Sequence, residues 1–139
     1  MTRLLAPVVL LTAVLLGACA EAERAVSDAG SEAATKAGCS VAQAAVGEVR
    51  QQVDGITSEI KADPEAAGLE LTAAREALGA AEKQVTGETQ EQLARAGAAI
   101  DDLRAEATAV ADGANVDDQA LRAAQEEYGD AAEQLTGLC

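Results

Sequence analysis

The chain has 139 residues, of which 49% are hydrophobic and 1% aromatic, and its 24 acidic against 10 basic residues give a net charge of -14. Nucleic acid is not an expected partner, because phosphate binding needs clustered Lys and Arg, usually with aromatic stacking, and the only aromatic residue is Tyr128. Histidine is absent, which removes the usual general base, the Ser-His and Cys-His nucleophile pairs and the Glu-x-x-His metal motif of helical bundles.

From Leu4 to Leu16 the sequence reads LLAPVVLLTAVLL, preceded by the single positive charge of Arg3. A basic start, a short apolar region and then small residues form the anatomy of a secretory signal. A membrane-spanning helix needs about 20 apolar residues, and Glu21, Glu23 and Arg24 arrive too early for one. The run therefore predicts export, with residues 1–18 as the signal segment.

The run ends in Leu16-Gly17-Ala18-Cys19, which resembles the lipobox of bacterial lipoprotein precursors: a leucine, two small residues and an obligatory cysteine. The resemblance covers the first 19 residues. It implies a diacylglyceryl thioether on Cys19, cleavage between Ala18 and Cys19, and anchoring to the outer face of the cytoplasmic membrane. Two acyl chains hold a protein stably where one does so marginally. Loss of Arg3 with the signal leaves a still more acidic body. Anionic headgroups repel it, so the lipid on Cys19 carries the membrane affinity.

Cys39 and Cys139 remain. Export places them where disulfides persist, and two thiols make a single pair, so one bridge is expected between them. Residues 19–38 are small, polar and charged, with glycines at 30 and 38. Glu32 and Lys36 could support a helical turn, but no sustained apolar stripe runs through the segment. It reads as a lipidated tether of partly helical or disordered character.

The pattern changes at Cys39, and residues 39–139 read as the folded domain. Apolar residues recur at steps of three and four through Cys39, Ala42, Val46, Val49, Val53, Ile56 and Ile60, one stripe of a helix. Asp63-Pro64-Glu65 then combines an N-cap, a proline at the first helical position and an acid at the positive dipole end. A second stripe follows from Ala67 to Val85 through Leu71 and Leu78. Gly87 can terminate that helix, and Thr89 with Gln92 resembles a capping box.

The third stripe runs through Leu93, Ala96, Ile100, Leu103, Ala107 and Val110 to Asp112-Gly113. Asn115 or Asp117 caps the fourth, which carries Leu121, Ala124, Tyr128, Ala131, Leu135 and Leu138. The fold class is all-α, an antiparallel four-helix bundle with one disulfide. The alternative absorbs Gly87 into one long central helix from Pro64 to about Ala111, flanked by two shorter helices; the eight-residue step from Val85 to Leu93 tolerates it with a local shift in winding. Both arrangements bring Cys39 and Cys139 together. Alanine at alternate stripe positions permits close approach but buries little area, so helix propensity, the pairs Glu91–Arg95 and Asp118–Arg122, and the disulfide are expected to carry much of the stability.

The sequence offers no catalytic, cofactor-binding or metal-ligating residue set. The acidic pairs Asp101-Asp102, Asp117-Asp118 and Glu126-Glu127 lack the spacing of a calcium loop and read as solvated helix faces. Tyr128 is expected to fill core space with its hydroxyl at the edge. The expected function is a non-enzymatic structural or protein-interaction module of the cell envelope, with an envelope protein or cell-wall component as partner. The alternative is a lipoprotein that binds a small ligand or cation.

Overall fold

The computed structural model describes the backbone of residues 19–139 and the side chains of residues 35–139. The predicted signal segment, 1–18, lies outside the described residues. Among the described residues every regular element is helical: α1 spans Cys19–Ala62, α2 Pro64–Glu82, α3 Gly87–Ala111 and α4 Asp118–Leu138. A compact unit runs from Thr35 to Cys139. The backbone of 19–38, read from the sequence as partly helical or disordered, is helical throughout. Its alanine content supplies the propensity for this.

The predicted stripes form one buried core, from Ala42, Val46 and Val49 on α1 to Tyr128, Ala131 and Leu135 on α4. Three stripe residues depart from expectation: Cys39 and Val110 are half-buried, and Leu138 is 42% exposed because it sits in the last turn of α4. Gly97, Ala99 and Ala132 are buried beside the stripes. Small residues flanking a stripe widen the buried face where helices approach closely.

The corners follow the local signals in part. Asp63 caps α2, its Oδ1 accepting from the Ala66 N–H at 3.0 Å, with Pro64 opening the helix. At the end of α3, Gly113 takes φ +99°, its N–H bonds to Val110 O at 3.0 Å, and the Ala114 N–H bonds to Ala109 O at 2.9 Å. That pair of bonds closes a helix over a left-handed glycine. Of the two candidate caps for α4, Asp117 is used: its Oδ1 accepts from the N–H groups of Gln119 and Ala120. The corner between α2 and α3 differs from expectation. Gly87, at φ +64°, begins α3 rather than ending α2, Thr86 is the N-cap, and Thr89 already lies inside the helix.

This corner also decides between the two architectures. The chain leaves α2 at Glu82 and re-enters a helix at Gly87, and Arg75 of α2 reaches Asp101 of α3 at 2.9 Å. The two halves of the would-be central helix therefore lie side by side, antiparallel. α3 packs against both α2 and α4, and Lys61, Val53, Val46 and Cys39 of α1 meet Asp118, Gln125, Tyr128 and Cys139 in turn. The ring of four antiparallel helices is closed.

Gly38, assigned from the sequence to the tether, is buried at the end of this ring. A Cβ there would stand 3.0 Å from Gln84 O and 3.0 Å from Val85 Cγ1. Glycine thus lets α1 approach the backbone of the α2–α3 corner. Gly38→Ala should destabilise the domain by about 1 kcal/mol although alanine is the better helix former. Gly47→Ala, at an α1 position with nothing within 4 Å, should instead stabilise by about 1 kcal/mol. Paired denaturant titrations would read the opposite signs, and equal signs would refute the close approach.

Candidate functional site

The residues singled out by the sequence fall into two groups. Cys19 opens α1, and the junction that would be cleaved before it lies outside the described residues. Cys39 and Cys139 are joined in a disulfide, with their Cα atoms 5.6 Å apart across a sequence separation of 100. The bond links α1 to the residue immediately after α4, at one end of the seam between these helices. Cys39 is half-buried and Cys139 exposed.

Two buried or half-buried polar side chains cross the same seam. Tyr128 donates its hydroxyl to Val46 O at 2.7 Å, and Gln125 donates Nε2 to Val53 O at 2.8 Å. The Tyr128 hydroxyl therefore reaches the backbone of α1 instead of ending at the edge of the core. Burial pushes this phenol well above its ordinary range, so it stays protonated and keeps its role as donor. At the far end Lys61 Nζ meets Asp118 Oδ1 at 2.6 Å. The hydrogen bond from Lys61, reinforced by its charge, holds the Asp118 carboxyl below the usual carboxylate range.

The seam between α2 and α3 is covered by charged side chains. Asp101 accepts from Arg75 and, at 3.0 Å, from Arg104. Arg75 lies flat over Gly97, where a Cβ would come within 2.9 Å of Cζ. Between α1 and α2 the Glu59 and Glu70 carboxyls lie close together, and the interaction with Glu70, with desolvation, raises the Glu59 carboxyl above its usual range.

The furrow between α3 and α4 has a different surface. It holds about 670 Å³ and is lined by Ala98, Ala99 and Ala105 of α3 and Ala120, Ala123 and Ala124 of α4, together with Asp102 and Glu106. Arg95 and Glu127 bridge it at 2.6 Å. Glu106 is also engaged, its Oε1 accepting from the Asp117 N–H at 2.6 Å.

Neighbouring acids in the sequence are thus assigned to separate structural tasks. Asp101 holds two arginines, Asp117 caps a helix, Asp118 pairs with Lys61 and Glu127 with Arg95. Among the described residues no group of three or more His, Cys, Asp or Glu side chains could hold a metal ion, and no charged side chain is buried. Also among the described residues, no helix is long and apolar enough to cross a membrane. The chain matches no protein-family model, no curated protein and no solved structure. Its functional reading therefore rests on its own residues.

Sequence reasoning missed Gln125 and Gly38. Both lie off the main stripes; the one available signal was a glycine directly before a stripe cysteine.

Proposed function

We propose that the chain is a lipid-anchored cell-envelope protein whose disulfide-closed bundle serves as a non-enzymatic structural or protein-interaction module. The observation that carries this reading is the Cys39–Cys139 bond, because such a bond belongs to an oxidising compartment, where the lipobox-like Leu16-Gly17-Ala18-Cys19 would deliver the chain. The division of the cysteines supports it: two thiols are committed to the fold, which leaves Cys19 for lipid. The surface supports an interaction role, since several of its acids are engaged in caps and interhelical pairs and the α3–α4 furrow is open and lined by alanine.

Cys19→Ala tests the anchor. Fractionation of cells expressing the full chain should find the wild type in carbonate-washed membranes and the variant in the soluble extracytoplasmic fraction or the medium. A variant that stays in washed membranes would refute lipid anchoring through Cys19. Crosslinking of the membrane-bound wild type followed by mass spectrometry then identifies the envelope partner that an interaction module requires.

A further inference from the structure

We infer that the seam between α1 and α4 is a redox latch: joining Cys39 and Cys139 shifts this seam strongly towards its closed state, so the chain can cross the membrane reduced and lock shut on oxidation outside. The inference rests on the proposed export. It begins from topology. In the ring of four helices, α1 and α2 are joined through Asp63, α2 and α3 through residues 83–86, and α3 and α4 through residues 112–117. No turn joins α4 to α1. Their contact must close a loop of 100 residues, and the entropy of closure falls on this seam alone.

Apart from the apolar core, few contacts hold the seam. Its polar links are two neutral hydrogen bonds and one ion pair. Lys61 and Asp118 are each about half exposed, at 48% and 51%, and such pairs contribute little. The larger buried side chains of α4 are Leu121, Tyr128 and Leu135; Ala124, Ala131 and Ala132 complete the face. The disulfide supplies what this face lacks. A cross-link over 100 residues shifts the balance between folded and unfolded chain by roughly a thousandfold.

The thiols are placed for the reaction. Cys139 is exposed and follows the last residue of α4. Its thiolate attacks the disulfide of a thiol-disulfide oxidant, forming a mixed disulfide and releasing one oxidant sulfur as a thiol. The Cys39 thiolate then attacks the Cys139 sulfur and expels the second. The chain gives up two protons and two electrons, and the oxidant leaves as its dithiol.

Amide hydrogen exchange along α4, residues 121–135, tests the latch. The full chain carrying Cys19→Ser, in mild detergent, is compared when oxidised by glutathione disulfide, when reduced by dithiothreitol, and as the further variant Cys39→Ser/Cys139→Ser. Protection of α4 should fall more than tenfold, towards the thousandfold set by loop closure, in both the reduced chain and the variant. Protection within tenfold of the oxidised chain in either would overturn the proposal. Anchoring is read independently by the Cys19→Ala fractionation, so a seam that holds when reduced sinks the latch and leaves the anchor standing. Failed fractionation does the reverse.

Discussion

Tyr128→Ala should destabilise the domain by about 3 to 5 kcal/mol, the usual cost of removing a large buried aromatic side chain. Tyr128 is 1% exposed and is the largest of the fully buried side chains. Its neighbours along α4 in the core are mostly alanine, so they cannot move in to fill the space. In a domain of this size the loss corresponds to a fall in melting temperature on the order of 20 °C. Tyr128→Phe separates the ring from its hydroxyl. It keeps the packing and removes only the bond to Val46 O, so it should cost about 1 kcal/mol. Thermal melts of the two variants should differ severalfold in their effect. If Phe costs as much as Ala, the hydroxyl rather than the ring would be what Tyr128 contributes.

Val53→Asp should abolish cooperative unfolding at neutral pH. Val53 is 3% exposed, midway along the part of α1 that packs in the bundle, and its carbonyl accepts the Gln125 amide. A carboxylate there would be buried without a partner, at a cost of several kcal/mol. One residue on, Asp54 carries the same charge on an exposed position, which confines the expected penalty to the buried face. The sign with pH follows from the cause: burial raises the folded-state pKa of the new carboxyl above its unfolded value near 4. The penalty is therefore present in full above the raised value and shrinks as pH falls through it towards about 4. A melting curve that matches wild type at pH 7 would show that this face of α1 does not pack inward.

The same two residues show how far the sequence could be read. That Val53 and Tyr128 face a core was legible from spacing, because burial on a helix repeats every 3.6 residues and the chain writes that repeat directly. That the Tyr128 hydroxyl ends on the carbonyl of Val46 was not, since it depends on the register of two helices 82 residues apart. The charged pairs show the same limit. Arg95 was expected to pair with Glu91 and Asp118 with Arg122, each one turn away; their close ion pairs are with Glu127 and Lys61 across the seams, and Arg122 acts on Asp118 only through its charge. A flexible side chain at the edge of a helix takes the partner that packing holds nearest, and pairs within one helix are worth only tenths of a kcal/mol.

The candidate site divides along the same line. Cys19 was singled out by its immediate neighbours, which resemble a processing motif read as a short string, and Cys39 with Cys139 by being the pair that remains. The existence of four helical segments, the Asp63 cap with Pro64 behind it and the glycine stop at Gly113 were likewise legible in the sequence alone, since caps and turns depend on a few adjacent residues, whereas the start of α1 at Cys19, the start of α3 at Gly87 and the choice of Asp117 over Asn115 were not. Tertiary structure alone decided that the chain folds back at Gly87 instead of running on as a long helix, that Gly38 belongs to the packed end, and that α4 closes on α1. Each depends on contacts between segments far apart along the chain. Local periodicity allows more than one such arrangement, and only the burial of all four stripes against one another selects between them.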